Sequence, residues 1–140
     1  MQIARALVTL SASILFALGS IHSLYTFWGP KLTPRDPALQ ARMREVSPVI
    51  SRETTMWKAW IGFNASHALG ALLFGLVYGY LAIAQPAVLF RSVFLLAVGF
   101  CLLLSYLVLG KTYWFRVPFT GILLAFVSYA IGLGASIAAS

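Results

Sequence analysis

The sequence has little acidic charge, little charge of any kind and only one cysteine. Three of its 140 residues are Asp or Glu, and charged residues make up 9% of the chain, against about 25% in soluble domains. This composition excludes a water-soluble globular domain. The single Cys101 excludes an intramolecular disulfide and argues against a cysteine-rich metal site. We expect it to be a small buried hydrophobic residue.

Hydrophobic residues make up 61% of the chain and concentrate in four long stretches. A helix rises about 1.5 Å per residue, so each stretch is long enough to cross a hydrocarbon core of about 30 Å. The stretches are apolar all round and lack the alternation of barrel strands, which favours helices. The sequence therefore predicts an all-α polytopic membrane protein, a single transmembrane domain over 1–140. Its four-helix bundle is expected to use residues of about 6–28, 56–84, 88–110 and 117–139.

The first apolar stretch resembles a signal peptide, because Arg5 precedes an apolar run that reaches Gly19. The apolar character nevertheless continues beyond Gly19 and ends at Tyr25 and Trp28, aromatic residues of the kind that mark a membrane interface. We therefore expect an uncleaved transmembrane helix.

The one long connection, residues 29–55, contains a pattern typical of a short amphipathic helix. Asp36-Pro37 has the form of a helix cap followed by proline in the first turn. Leu39, Met43 and Val46 then recur at helical spacing. We predict a surface helix that lies on the membrane and ends near Ser47-Pro48. The alternative is an ordinary polar loop with a chance pattern.

The remaining connections are short, and the positive charges are distributed unequally between the two ends of the bundle. Gln85-Pro86 separates the second and third stretches, and residues 111–118 join the third to the fourth.

A net charge of +7 could indicate nucleic acid, but in so apolar a chain it indicates loops at a membrane surface, so no nucleic-acid partner is expected. Only Arg5 and Arg91 lie at one end. The positive-inside rule predicts a bacterial inner-membrane protein with both termini outside and the 29–55 and 111–118 loops in the cytoplasm, where eight cations lie: Lys31, Arg35, Arg42, Arg44, Arg52, Lys58, Lys111 and Arg116.

Small residues at three- and four-residue spacing predict where the helices approach one another. Gly75 and Gly79 in the second helix could pack inside the bundle or form a dimer seam, and internal packing is the commoner use. The predicted internal seams contain Gly62, Ser66, Gly70, Ala71, Gly75 and Gly79 in the second helix, and Gly121, Ala125, Ser128, Gly132 and Ser136 in the fourth.

Polar side chains inside the spans are few, and none is acidic. His22, Asn64, His67 and Tyr106 all fall in the half of the bilayer below the basic loops, by a count of about 1.5 Å per residue. This placement predicts a polar pocket that opens toward those loops. An ionisable residue within a span is a functional candidate by default, which makes His67 the foremost of the four. The alternative is that His67 and Asn64 only join helices by hydrogen bonds.

Two sequence blocks, Trp57-x-Ala-Trp60-x-Gly-Phe-Asn64-x-Ser-His67 and Lys111-x-Tyr-Trp-Phe-Arg116-x-Pro118, resemble an uncharacterised family of small bacterial four-helix membrane proteins. The architecture also resembles styrene oxide isomerases, membrane enzymes that use haem b. That resemblance implies His67 as the axial ligand of the haem iron, with Asn64 or Tyr106 orienting a substrate. In that family the asparagine follows the histidine, whereas here Asn64 precedes His67.

Two classes of function agree with these features. The first is a membrane protein whose polar pocket binds a small lipophilic ligand or a haem-like cofactor, with or without catalysis. The second is a non-catalytic accessory subunit that stabilises a larger membrane complex, or a homo-oligomer, through its small-residue seams and basic loops. A transporter is disfavoured because the spans carry no acidic coupling residue.

Overall fold

The computed structural model describes residues 1–139, and every regular element among them is a helix. The all-α prediction is confirmed. Four of the helices (α1, α3, α5 and α6) are long and apolar enough to cross a membrane, as the composition predicts. The helices are α1 (Gln2–Phe27), α2 (Pro37–Glu45), α3 (Met56–Ala84), α4 (Pro86–Arg91), α5 (Val93–Tyr113) and α6 (Arg116–Ile137).

The third apolar stretch is not one helix, as the sequence predicts, but two. Residues of α4 form a separate short helix, and α5 begins only at Val93. The break occurs at Ser92, which adopts extended dihedrals and whose hydroxyl accepts a hydrogen bond from the Leu95 amide at 3.2 Å. A serine cap satisfies a backbone donor that a new helix would otherwise leave unpaired. The predicted 111–118 loop is also shorter, since only Trp114 and Phe115 lie between α5 and α6.

The predicted surface helix is present as α2, so the alternative of an unstructured polar loop is wrong. The Asp36 carboxylate accepts a hydrogen bond from the Ala38 amide at 2.9 Å, and Pro37 occupies the first turn. The helix ends at Glu45, two residues before the predicted end, with Val46 in an extended conformation. Proline is favoured in the first turn of a helix, the position of Pro37, because its missing N–H would have no partner within the helix there. The location of α2 on a membrane surface stays a prediction.

The described chain divides into two compact units, and the prediction of one domain over the whole chain stays a prediction. Unit 1 comprises Met1–Leu18 and the chain from Ala71 onward, and unit 2 comprises Gly19–Gly70. Both α1 and α3 contribute residues to each unit. The bundle contacts described next belong to unit 1, whereas α2 belongs to unit 2.

Small residues bring the helices of unit 1 together, as the sequence predicts. A Cβ at Gly75 would lie 2.8 Å from the Ala12 carbonyl of α1, so Gly75 is used for internal packing. A Cβ at Gly132 would lie 3.3 Å from the carbonyl of Ala4, and one at Gly121 would lie 2.9 Å from Leu18. These contacts make α6 antiparallel to α1, because the end of one helix lies beside the start of the other.

The centre of unit 1 is a cluster of three aromatic rings. Phe74 and Tyr78 of α3 stack at 4.5 Å between ring centroids, and Tyr129 of α6 lies 5.9 Å from Tyr78. The Tyr78 hydroxyl donates to the Leu95 carbonyl at 2.7 Å, and the Tyr129 hydroxyl donates to the Leu96 carbonyl at 3.1 Å. Aromatic burial and satisfied hydroxyls together hold α3, α5 and α6 in fixed register.

Arg5 has a structural role that the sequence does not reveal. Its Nε donates to the Ala82 carbonyl at 3.2 Å, and its Nη2 donates to the Ile83 carbonyl at 2.9 Å. These carbonyls belong to the last turn of α3, where backbone acceptors lack helical partners and the helix dipole is negative. The guanidinium therefore joins the start of α1 to the end of α3.

Two expectations about packing are wrong. A Cβ at Gly62 would meet nothing within 4 Å, and Ser66 is exposed, so this part of the predicted seam is not packed in the described chain. Cys101 is exposed on α5 and is not a buried hydrophobic residue. Both differences arise because helical spacing specifies which residues share a face, but not which face meets a neighbour.

Candidate functional site

Unit 2 brings together three of the four polar residues that the sequence singles out. His22 lies near the end of α1, and Asn64 and His67 lie three residues apart on one face of α3. The Nε2 atom of His22 is 3.0 Å from the Oδ1 atom of Asn64. The His22 and His67 rings meet edge to face, with centroids 5.1 Å apart and planes at 85°. We call these three residues the histidine cluster.

The orientation of the Asn64 amide determines which ring nitrogen of His22 carries a proton. The Nδ2 atom of Asn64 donates to the Trp60 carbonyl at 2.8 Å, which directs the Oδ1 atom toward His22. An amide oxygen only accepts, so His22 must carry its proton on Nε2. In the neutral tautomer the Nδ1 atom of His22 is then an acceptor. The cluster thus holds one imidazole in a defined tautomer without any acidic side chain.

Two further residues position the cluster. The Thr26 hydroxyl, on a residue only 6% exposed, donates to the His22 carbonyl at 2.8 Å. The Trp60 indole donates to the Leu32 carbonyl at 2.9 Å, which joins the residues after α1 to α3. Thr26 is not among the site residues predicted from the sequence. Its position four residues after His22 is the signal that could have identified it, since a threonine there can bond back to that carbonyl.

Tyr106, the fourth predicted site residue, belongs to unit 1. It is buried on α5, and its ring lies 6.4 Å from that of Trp114, at planes tilted by 42°. Its membership in a common pocket with the histidine cluster stays a prediction.

The donor set of the cluster limits which metal groups it can hold. Among residues 1–139, no group of three His, Cys, Asp or Glu side chains is arranged to hold a metal ion. The two imidazoles contact each other directly, so a porphyrin does not fit between them as a bis-histidine haem requires. The donor set still allows coordination of a haem iron through one imidazole, and the resemblance implies that of His67.

The cluster can bind a ligand by hydrogen bonds from within spanning helices. His22 and His67 are each partly buried, and the two rings offer both donors and acceptors when neutral. By the rise of the helix, His67 lies about 16 Å from the start of α3 and Asn64 about 12 Å. In a helix that crosses a membrane, water is scarce this far from the helix end, and a hydrogen bond to a ligand there competes little with solvent.

No protein-family model matches the chain, and no curated protein or solved structure matches it either. The likeness to the small four-helix family therefore stays an expectation that depends on the two sequence blocks, and the likeness to styrene oxide isomerases stays one that depends on architecture.

Proposed function

We propose that the protein binds a small lipophilic molecule at the histidine cluster, within the membrane-spanning part of the chain. The observation that carries this proposal is the contact of two imidazoles from different helices, one of them hydrogen-bonded to Asn64, in segments that contain no acidic residue. Polar residues at this depth are expensive to bury and are a functional hypothesis by default. The bilayer would deliver the ligand, because lipophilic molecules partition into it.

The chemistry of the cluster defines the class of ligand. His22 presents an acceptor at Nδ1 in the tautomer that Asn64 imposes, so a hydroxyl or phenol group on the ligand would have a partner. His67 offers a second imidazole beside it. A lipophilic molecule with one or two oxygen groups fits this set better than an ion, since the spans contain no carboxylate.

The haem-like cofactor is the second form of the same proposal. Haem b would be held by His67 as a single axial ligand, and its iron would supply a Lewis acid for activating an oxygen-containing substrate. His22 and Asn64 would then position a substrate or orient the ligating ring. This form is supported only by the resemblance and by the presence of an imidazole within the span.

The decisive test compares wild type with His67→Gln and Asn64→Ala, purified in detergent. Bound small molecules are extracted and measured by mass spectrometry, and haem by its absorption spectrum. Glutamine keeps a donor and an acceptor but lacks the imidazole, so bound ligand or haem should fall at least about tenfold in His67→Gln. Ser66→Ala is the matched control, because its hydroxyl bonds only to the Gly62 carbonyl of its own helix at 2.8 Å.

Normal folding together with unchanged ligand content and spectrum in His67→Gln would overturn the proposal. The cluster would then be assigned to helix association. A red protein with a Soret band that disappears in His67→Gln would select the haem form, and a colourless protein with a co-purified organic molecule would select the ligand form.

A second candidate function is that of an accessory subunit, and the unpacked part of the α3 seam favours it. Gly62 and Ser66 are exposed small residues, of the type through which spanning helices approach one another. If a partner helix packs there, Gly62→Leu should abolish stoichiometric co-purification or homo-oligomerisation. Gly134→Leu is the control, because Gly134 also has nothing within 4 Å but lies outside the seam.

For location we propose the bacterial inner membrane, with both termini outside and residues 29–55 in the cytoplasm. The unequal distribution of Lys and Arg supports this orientation. The test is thiol labelling of Gln40→Cys in a Cys101→Ala background, in intact cells. Labelling only after permeabilisation is expected, and labelling from outside would contradict the orientation.

A further inference from the structure

The connection between α2 and α3 contains a turn whose tip is apolar. Ser51 donates its amide to the Pro48 carbonyl at 3.3 Å, which closes a turn with Val49 and Ile50 at its centre. Both side chains are fully exposed, at 109% and 93% of the reference area. The centre of a turn is usually Gly, Asn, Asp or Ser, and β-branched apolar residues are unfavourable there in water. The residue types therefore indicate an apolar environment for this tip.

The turn is fixed beside the start of a spanning helix. The amide of Met56, the first residue of α3, donates to the Val46 carbonyl at 2.9 Å and closes the segment into a compact loop. The Thr55 hydroxyl accepts from the Lys58 amide at 3.3 Å and so caps α3. Because a spanning helix enters the membrane near its first apolar residue, the tip is held close to the level of the lipid head groups.

The sequence on either side of the turn carries a net positive charge. Residues 29–58 carry six Lys and Arg against three acids, a net charge of +3. Arg52 directly follows the turn and is exposed, as are Arg44 and Lys58. The Arg44 guanidinium lies 5.4 Å from the centre of the Trp57 ring, which combines a cation with an aromatic residue favoured at membrane interfaces.

From these observations we propose that the Val49–Ile50 turn is a membrane-interface anchor that inserts into an anionic lipid surface. The two apolar side chains enter the boundary between head groups and acyl chains. Arg44, Arg52 and Lys58 contact lipid phosphates around them. Insertion of apolar side chains and attraction of cations to anionic lipids reinforce each other at such surfaces. The proposal does not depend on the histidine cluster.

The experiment uses the full-length chain with single cysteines in a Cys101→Ser background, labelled with the environment-sensitive fluorophore NBD. Val49→Cys and Ile50→Cys report on the turn, and Ala41→Cys, on an exposed face of α2, is the matched control. The labelled proteins are placed in nanodiscs of phosphatidylcholine with 30% phosphatidylglycerol, on the order of the anionic content that attracts basic segments. Brominated lipids of each head group then serve as quenchers.

We expect blue-shifted emission and quenching at positions 49 and 50, and water-like emission without quenching at position 41. Brominated phosphatidylglycerol should quench more than brominated phosphatidylcholine at equal mole fraction. Changing both Arg44 and Arg52 to Gln should remove this preference while leaving the blue shift. Water-like emission at positions 49 and 50 would overturn the proposal. Blue-shifted emission without lipid quenching would also overturn it and would assign the turn to a protein contact.

Discussion

Units 1 and 2 use polar side chains within spanning helices in opposite ways. In unit 1, the buried Tyr78 and Tyr129 hydroxyls each donate to a backbone carbonyl of α5. In unit 2, the partly buried imidazole of His22 bonds to the Asn64 side chain and contacts the His67 ring. The tyrosines are bound to backbone carbonyls of a helix. The histidine cluster joins α1 to α3 through a hydrogen bond between two side chains and a contact between two rings.

Under the proposed function, this difference separates residues that pack the fold from residues that bind a ligand. A hydroxyl that bonds to a neighbouring backbone is satisfied permanently and stabilises the fold. A group of side chains that bond to one another can release one partner for a ligand at little cost to the fold. We therefore expect substitutions in the aromatic cluster of unit 1 to reduce stability, and substitutions in the histidine cluster to change binding more than stability.

The largest effect is expected from Phe74→Ala, which removes the ring that stacks on Tyr78. Phe74 is 2% exposed, and loss of a buried phenyl ring leaves a cavity that costs about 3–5 kcal/mol in the free energy of unfolding. Unfolding by a chemical denaturant in detergent micelles measures this loss in the free energy of unfolding. The control is Phe63→Ala, since Phe63 is 75% exposed and its loss should change stability by about 0.5 kcal/mol or less. Equal losses in the two variants would contradict the central role of the aromatic cluster.

A smaller loss is expected from Gly99→Ala, which tests the same cluster by overpacking. The added Cβ would lie 2.7 Å from the Tyr78 ring and 2.8 Å from the Cζ atom of Tyr129, so the rings must shift. Overpacking of this kind costs about 1–3 kcal/mol. Gly134→Ala meets nothing within 4 Å and should be neutral or stabilising by up to about 1 kcal/mol through helix propensity. A thermal unfolding comparison in which the two alanine variants behave alike would show that α5 can move away from the rings.

Removal of the Tyr129 hydroxyl is expected to reduce the free energy of unfolding by a moderate amount. Tyr129→Phe keeps the ring and deletes the bond to the Leu96 carbonyl, which should cost about 1 kcal/mol. Tyr80→Phe is the matched control, because Tyr80 is 60% exposed. Denaturant unfolding of both variants measures the difference. A neutral Tyr129→Phe would mean that the hydroxyl does not stabilise the contact between α5 and α6.

The smallest contribution to stability is expected from the hydrogen bond between His22 and Asn64 in the histidine cluster. A double-mutant cycle with His22→Ala and Asn64→Ala isolates the interaction between these side chains. We expect a coupling of about 0.6 kcal/mol, the average for hydrogen bonds between spanning helices. Such a value would leave the cluster available for binding. A coupling above about 2 kcal/mol would instead make it a structural connection and remove the contrast between the two units.

Several parts of the fold follow from local sequence. Asp36-Pro37 predicts the start of α2 because capping depends on residues two or three apart. Apolar length predicts the four long helices because the bilayer imposes that length. The division at Ser92 does not follow from hydropathy, since the apolar run continues through this residue and hydropathy does not report the extended dihedrals found there.

The candidate site could be predicted in part. The spacing of Asn64 and His67 places them on one helix face, and their predicted depth places them in the same half of the bilayer as His22. The tautomer of His22 could not be predicted, because it depends on how the Trp60 carbonyl orients the Asn64 amide. Arg5 likewise looks like a loop charge in sequence, and only the fold shows that it binds the carbonyls at the end of α3.

The sequence by itself determined that this protein consists of four apolar helices long enough to span a membrane, with cations in the long first loop. Composition and length suffice for that, because lipid requires every spanning backbone to satisfy its own hydrogen bonds. Only the tertiary structure decided that Gly75 packs against α1, that a Cβ at Gly62 would meet nothing within 4 Å among residues 1–139, and that the His22 ring meets that of His67. Those outcomes depend on the rotation of each helix about its axis, which is set by contacts between residues far apart in the chain.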